Sequence, residues 1–218
     1  MIQRRRIMLA GKRRLLPVGF HGVEFIQSVG RQYINTGYIP NSNTASIVKV
    51  DYVIGNDNSS IYGSSIRYNN RAYECYPWDA DLQFGYGRSV VFISNTSEKN
   101  GQTVTIYRQR EAIELAWEDG TIMTGANVDT GEFVCPFTLT LFALNRNAGI
   151  AYPNAGNKCF LAKFYDGNVL MRHFVPCVRE SDGKPGMYDL CGSICPLTDS
   201  PFYTNAGTGE FLVGPDVN

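Results

Sequence analysis

Apolar and polar residues alternate with a period of two along most of this chain, a pattern typical of β-strands that bury one face. The clearest run is Ser46 to Ile54, in which every second residue is apolar and Lys49 and Asp51 are predicted to face outward. Shorter runs predict strands over 23–26, 32–36, 61–68, 72–76, 82–86, 90–94, 103–108 and 137–144. Their close spacing favours an antiparallel meander over alternating strands and helices.

Helix and strand compete at residues 110–118. These residues are good helix formers, and Gly120 could end a helix there. However, Ile113, Leu115 and Trp117 occupy every second position, which is the period of a strand. Because the neighbouring segments are predicted strands, we predict a strand here as well.

A β-hairpin is predicted over residues 160–175. Two alternating runs, 160–165 and 169–175, flank Asp166-Gly-Asn168, and such residues accept the positive φ of tight hairpin turns. In the first run Phe160, Ala162 and Phe164 are expected to share one face. Arg172 blurs the sidedness of the return strand, and Pro176 is expected to end it because proline has no N–H for the ladder.

The composition fits one all-β domain. A chain of 218 residues has the size of a single β-sandwich, and its 22 glycines, 13 tyrosines and 12 phenylalanines suit short strands joined by tight turns. No apolar run reaches the roughly 18 residues that would cross a membrane, and no apolar stretch near the N-terminus predicts a secretory signal peptide. We therefore predict an antiparallel two-sheet β-sandwich with its core between the sheets.

The formal net charge of zero conceals a basic N-terminal segment. Residues 1–16 carry no acidic residue and six basic ones, namely Arg4, Arg5, Arg6, Lys12, Arg13 and Arg14. The other 14 basic and 20 acidic residues give the rest of the chain a net charge of −6. We interpret residues 1–16 as an extended arm whose interleaved apolar residues favour docking on a protein surface. A solvated tail and a nucleic-acid-binding patch remain alternatives.

The six cysteines and two histidines show no spacing of a metal site. We expect reduced thiols packed as small apolar groups, and neither a metal nor a cofactor. Cys191 and Cys195 are close enough in sequence to form a disulfide in an oxidising environment.

Four segments together carry a resemblance to a known family. They are 23–44, 141–149, 159–190 and 202–215, and they resemble the concanavalin A-like lectin/glucanase (LamG-like) module. Such modules occur in structural proteins of tailed bacteriophages and prophages and in surface proteins of gut bacteria. The resemblance implies a jelly roll over residues 17–218, with the arm at 1–16, although the link over 191–201 is longer than the module's pattern.

Hydrolysis of glycans is not expected, although the resembled class includes glucanases. Retaining glycosidases need two carboxyl groups about 5 Å apart. The glucanase branch supplies them from a Glu-x-Asp-x-x-Glu pattern, and neither Glu111-Ala-Ile-Glu114 nor Glu118-Asp119 fits it. His21 and His173 are not accompanied by a Gly-x-Ser-x-Gly nucleophile motif. We predict that the protein is not an enzyme.

Among the specific chemical roles considered, glycan binding fits the sequence better than hydrolysis. Sugars are held by aromatic rings and by amide or carboxylate groups, and residues 73–81 combine these groups in Tyr76, Trp78, Asp79 and Asp81. A second candidate loop contains Asn69 and Asn70, and a third is residues 56–58. We nevertheless favour a structural interpretation, in which Tyr76 and Trp78 pack under a loop while the Asn and Asp residues build turns, because Pro77 and the aspartates already explain a turn there. Asp79 and Asp81 alone supply too few oxygens for calcium.

These observations lead to three functional hypotheses. The first is a lectin-like knob on the capsid or tail of a tailed phage, assembled in the bacterial cytoplasm and attached to other virion proteins through the arm. It would decorate the particle or adhere to glycans of the host surface or mucus, and we expect a homo-oligomer without membrane contact. A stand-alone carbohydrate-binding module is the second hypothesis, and a glycoside hydrolase the third.

Overall fold

Strands dominate the part of the chain that the structure, a computed structural model, describes: residues 16–54, 59–66, 71–127, 131–153, 155–192 and 201–217. The strands are β1 (Phe20–Gly22), β2 (Ile26–Val29), β3 (Ile34–Asn35), β4 (Thr44–Asp51), β5 (Tyr62–Ile66), β6 (Arg71–Trp78), β7 (Asp81–Gly87), β8 (Ser89–Ile93), β9 (Thr103–Arg108), β10 (Ile113–Trp117), β11 (Ile122–Gly125), β12 (Thr140–Leu141), β13 (Leu144–Arg146), β14 (Gly149–Ala151), β15 (Ala155–Asp166), β16 (Val169–Arg179), β17 (Lys184–Asp189), β18 (Phe202–Thr204) and β19 (Leu212–Val213). One 3₁₀ turn spans Thr96–Lys99. The predicted arm, including its six basic residues, lies outside the described residues except for Leu16.

The strands form two sheets. The larger sheet has the order β11-β10-β9-β4-β15-β16-β17-β18, with β2, β19 and β1 attached to β15 and β16. The smaller sheet has the order β14-β13-β5-β6-β7-β8, with β12 and β3 attached to β5. The strand pairs are antiparallel except for β5 and β13, which run parallel. The prediction of an all-β fold with two antiparallel sheets is confirmed.

The core lies between these two sheets. The ring of Phe164 on β15 meets that of Tyr62 on β5 at 6.2 Å between centroids. The hydroxyl of Tyr73 on β6 donates to Ser46 Oγ on β4 at 2.8 Å. Apolar side chains of both sheets are buried in one cluster, and the hydrophobic effect therefore holds the sheets face to face.

A fully buried arginine also joins the sheets. Arg108 ends β9 of the larger sheet, and its Nη1 donates to the carbonyl of Glu74 at 2.9 Å while Nη2 donates to that of Gly85. Both carbonyls belong to the smaller sheet. The guanidinium lies 4.3 Å from the ring centroid of Tyr73, so carbonyl dipoles and aromatic faces stabilise its charge inside the core.

The predicted alternation is confirmed in the central strands. Val48 and Val50 are buried on β4, whereas Lys49 on the opposite face reaches Glu118 at 2.8 Å. Residues 110–118 contain strand β10, so the helical alternative is wrong there. The predicted strand over 137–144 is divided into β12 and β13, because Phe142 adopts a left-handed conformation with φ +65°.

The predicted hairpin is also present, with one change of face. Gly167, at φ +57°, begins a two-residue turn between β15 and β16. However, the register of β15 against β4 shifts between Cys159 and Leu161. Phe160 therefore leaves the face of Ala162 and Phe164, and Lys49 lies 5.5 Å above its ring. The expectation that Phe160 shares the core face is wrong, because a bulge reverses the alternation.

Pro176 does not end its strand, which corrects the prediction from the sequence. Strand β16 continues to Arg179, and Pro176 pairs with Met187 of β17. Its carbonyl accepts from Val23 N–H at 3.2 Å, on the side away from β17. Both backbone groups of an antiparallel residue point to the same neighbour, so the missing N–H faces that side too. There the β15 pairing has already ended at Phe174 and β1 has ended at Gly22, so the missing N–H faces Val23, the residue after β1, at the end of that ladder.

Arg172 explains the mixed sidedness of β16, because it is buried rather than exposed. Its Nε donates to the carbonyl of Thr36 at 3.0 Å, and its Nη1 lies 3.5 Å from Asp189 Oδ2. The described cysteines, Cys75, Cys135, Cys159, Cys177 and Cys191, are buried free thiols, as expected. Cys195 lies outside the described residues. No helix among the described residues is long and apolar enough to cross a membrane.

Candidate functional site

The hairpin of β6 and β7 places three of the predicted glycan-binding residues on one face. Tyr76 lies opposite Gln83, and Trp78 lies opposite Asp81. The neighbours of Tyr76 along β6, Cys75 and Pro77, point to the other face because side chains alternate along a strand. Tyr76, Trp78 and Asp81 thus share the face of the smaller sheet that points away from the core.

Trp78 is the exposed ring of this face and Tyr76 is its support. The Trp78 side chain is 43% exposed, whereas Tyr76 is 6% exposed. Their ring centroids are 6.3 Å apart in an edge-to-face arrangement. The Tyr76 hydroxyl accepts a hydrogen bond from Gln83 Nε2, and burial raises the pKa of Tyr76 to about 12. The Tyr76 side chain is therefore neutral and held in place, and it supports the accessible indole of Trp78.

The neighbouring strand β8 extends this face with further apolar groups. Phe92 lies opposite Gln83 and Val90 lies opposite Gly85, so both share the face of Trp78. Phe92 is 47% exposed. We call Tyr76, Trp78, Gln83 and Phe92 the aromatic platform. With strands about 4.8 Å apart and about 3.4 Å per residue, Trp78 and Phe92 are about 12 Å apart.

Phe92 and Gln83 were missed by the sequence reasoning. The run 90–93 is apolar throughout, so its alternation does not indicate which residues face the core. Only the pairing of β7 with β8 shows that Phe92 faces outward while Ile93 is buried.

A buried carboxyl group lies beside the platform, on the same face. Glu74 is 4% exposed, and its Oε2 has no hydrogen-bond partner among the described residues. Burial raises the pKa of Glu74, and the nearby Ser65 hydroxyl and the charge of Arg146 oppose that shift. Its side chain lies across Gly85, where a Cβ would come within 2.7 Å of Glu74 Cγ. A glycine is thus required under this carboxyl.

Tyr152 packs beside Tyr76 of the aromatic platform. Its ring is 6.1 Å from that of Tyr76, and its hydroxyl accepts from Arg146 Nη1 at 3.0 Å. Tyr152 holds φ +52°, a conformation that is costly for a bulky residue. Such strain is often found at functional sites, which makes this region of the sheet the leading candidate.

The two predicted aspartates lie where β6 connects to β7, Asp79 in the turn and Asp81 as the first residue of β7. Asp79 occupies the β6–β7 turn with φ +51°, a conformation that aspartate tolerates. Asp81 Oδ1 accepts from the backbone N–H of Asn95 at 3.1 Å, and Oδ2 accepts from Ser94 Oγ at 3.2 Å. Both therefore support the hairpin beneath Trp78. Among the described residues, no group of three or more acidic, cysteine or histidine side chains could hold a metal ion.

An open cavity of about 460 Å³ lies at the other end of β6. Its walls are Asn41, Ser42, Asn43, Arg71, Glu132, Phe133 and Val134. Arg71 is the first residue of β6 and Trp78 the last, so about 23 Å of strand separates this cavity from the platform. Asn69 and Asn70 lie outside the described residues and precede Arg71 in sequence. The prediction that Asn69 and Asn70 bind a glycan therefore stays a prediction.

The cavity is built by a turn fixed to a neighbouring segment. Asn41 Oδ1 accepts from Asn43 N–H at 2.7 Å, and Ser42 N–H donates to the carbonyl of Phe133 at 2.9 Å. Glu132 accepts from Ser42 Oγ and from Arg110 Nη2, the latter at 2.8 Å. These two contacts hold the pKa of Glu132 below its usual value, so its carboxylate is ionised and paired.

Comparison with known proteins assigns no family to this chain. No protein-family model matches the sequence, and no curated protein matches it either. The resemblance to the concanavalin A-like module therefore stays a prediction.

Proposed function

We propose that this protein is a non-enzymatic, lectin-like display domain that binds glycans on the aromatic platform. The platform carries this proposal, because an exposed indole and an exposed phenyl ring lie on one face of the smaller sheet beside polar groups. Monomeric proteins rarely leave large aromatic surfaces in water without a binding role.

The arrangement suits a sugar chain rather than a single sugar. A sugar ring presents C–H groups on its apolar face, and these pack against aromatic rings, while hydroxyls need hydrogen-bonding groups at the edge of the site. Trp78 and Phe92 supply the rings, and the Gln83 amide and the Tyr76 hydroxyl lie between them. The separation of about 12 Å between Trp78 and Phe92 exceeds one hexopyranose ring, so an oligosaccharide would use both contacts.

We further propose that the domain is a jelly roll on the virion of a tailed phage, held by the arm at residues 1–16. Three observations support this part of the proposal: the sequence resemblance, two antiparallel sheets around one core, and six positive charges on an arm that precedes a domain of net charge −6. The partners would be other capsid or tail proteins, and virion proteins are commonly symmetric multimers.

A stand-alone carbohydrate-binding module is the second candidate, because the platform would serve it equally well. The hydrolase alternative lacks a comparable basis. Glu74 is the buried carboxyl on this face, and Asp81 shares the face one strand across and four residues further along, about 14 Å away. Glycosidases place their two carboxyl groups about 5 to 9.5 Å apart.

A glycan array with matched variants tests the platform. Trp78→Ala and Phe92→Ala should each weaken binding at least tenfold, because central aromatic contacts carry a large share of binding energy. Ile122→Ala is the control, since Ile122 is an equally exposed apolar residue on β11 of the other sheet. Absence of saturable binding by the wild type, or unchanged binding by both aromatic variants with normal melting, would refute glycan binding at this face.

Deletion of residues 1–16 tests the virion role separately. The shortened protein should keep the melting temperature of the wild type and fail to enter particles during assembly. Normal incorporation would show that the arm is not the anchor. Visualising the protein in purified particles by cryo-electron microscopy would distinguish capsid from tail, and its absence from particles would favour the stand-alone module.

A further inference from the structure

The wall of the cavity at the start of β6 carries an arginine that has no partner among the described residues. Arg71 is exposed at the cavity wall, and within the described part of the chain its guanidinium makes no ion pair or hydrogen bond. The other charged wall residue, Glu132, is already paired with Arg110 at 2.8 Å. Asp166 Oδ2 accepts a hydrogen bond from the side-chain Nδ2 of Asn41 at 3.3 Å. Among the described wall residues, the charge left unpaired is therefore positive.

The remaining walls are suited to a hydroxylated ring. Asn41 and Asn43 bring side-chain amides, and each oxygen of Glu132 has further lone pairs that can accept hydroxyl hydrogens. Phe133 supplies an apolar wall, and its ring is fixed edge-to-face against Tyr86 at 4.9 Å. A volume of about 460 Å³ lies within the range of small-molecule sites.

We propose that this cavity binds a sugar acid, a monosaccharide that carries one carboxylate. The guanidinium of Arg71 pairs with the carboxylate in a fork of two hydrogen bonds, while the amides and Glu132 hold the hydroxyls. A neutral sugar has no anionic group that could pair with the Arg71 guanidinium. Inorganic phosphate carries up to two negative charges, which the Glu132 carboxylate repels, and it has no ring to pack against Phe133.

The proposal is independent of the aromatic platform. The cavity and Trp78 lie at opposite ends of β6, about 23 Å apart, and share no residue. Trp78→Ala should therefore leave sugar-acid binding unchanged, and Arg71→Gln should leave platform binding unchanged. Either site can fail its test without affecting the other.

Titration calorimetry with glucuronic acid, glucose and inorganic phosphate tests the cavity. Glucuronic acid should bind saturably at millimolar concentration and at least tenfold more tightly than glucose, which has the same ring without the charge. Phosphate should bind more weakly than glucuronic acid. Equal binding of glucose, tighter binding of phosphate, or no saturable binding of glucuronic acid would overturn the proposal.

Two variants and a control place the site. Arg71→Gln should weaken glucuronic acid at least tenfold, and Asn43→Ala should weaken it several-fold; both positions are exposed, so melting should be unchanged. Arg31→Gln is the matched control, because Arg31 is an exposed arginine outside the cavity wall. Unchanged affinity in Arg71→Gln, or an equal loss in Arg31→Gln, would refute the role of the cavity.

Discussion

Replacing Glu74 by glutamine should stabilise the protein at neutral pH and have little effect in acid. The carboxyl is buried with Oε2 unpartnered, and burial raises its pKa above the reference value of 4.5. The folded state then holds this proton more tightly than the unfolded state. Stability therefore falls as the pH rises above 4.5 and stops falling above the folded pKa. Glutamine has nearly the same shape and no proton to lose, so the variant avoids this loss.

The size of the effect has an upper bound. Each pH unit between the unfolded and folded pKa contributes about 1.4 kcal/mol, so a carboxyl that stayed protonated to pH 7 would destabilise the fold by about 3 kcal/mol. The Ser65 hydroxyl and the charges of Arg146 and Arg108 reduce this cost, because they favour the ionised form. The advantage of Glu74→Gln should thus grow from near zero below pH 4.5 to a gain at pH 7 that does not exceed about 3 kcal/mol.

Urea unfolding at pH 4, 5, 6, 7 and 8 measures this difference, with circular dichroism as the signal. Glu111→Gln is the control, since Glu111 is exposed and its replacement should not change the pH profile. A difference between Glu74→Gln and wild type that is the same at every pH would refute the reasoning. So would a variant that is less stable than the wild type at pH 7.

Two further predictions concern other buried groups. Burial, reinforced by the charge of Lys163, lowers the pKa of His173 from 6.5 to about 4. The unfolded state then binds more protons, and stability should decline as the pH falls from 6.5 to 4, by about 1–2 kcal/mol after allowance for partial solvent exposure. Urea unfolding of His173→Gln should show a flatter profile, and an unchanged slope would contradict the assignment. Gly85→Ala should lose about 1–3 kcal/mol because its Cβ would meet Glu74 Cγ at 2.7 Å, whereas Gly149→Ala, with a nearest neighbour at 3.7 Å, should melt like the wild type. Equal melting of both glycine variants would show that Glu74 can move aside.

The sequence predicted strands and turns correctly where neighbouring residues alone determine them. The alternation of β4 and the turn at Asp166-Gly-Asn168 depend on neighbouring residues, and both were correct. Phe160 was misplaced because a bulge depends on the register with β4, which no local pattern contains. Pro176 was misjudged because it lies where β16 changes its pairing partner from β15 to β1, and only the strand pairing shows this.

The candidate site could be predicted only in part. The sequence indicated Tyr76 and Trp78, since they are close together in one run. Phe92 joins them through strand pairing, and the cavity combines residues 41–43, 71 and 132–134, which are far apart in sequence. The buried arginines were missed for a different reason. Arginine is usually exposed, and its burial depends on carbonyls and rings supplied by the opposite sheet.

The position of Arg108 has a consequence for how the fold comes apart. If the smaller sheet detached, the guanidinium would lose the carbonyls of Glu74 and Gly85 and the ring of Tyr73 in one step. Partial opening would thus leave a charge facing an apolar surface, which is a costly intermediate. Native-state hydrogen exchange should accordingly show the amides of β6, β7 and β9 opening as a single cooperative unit.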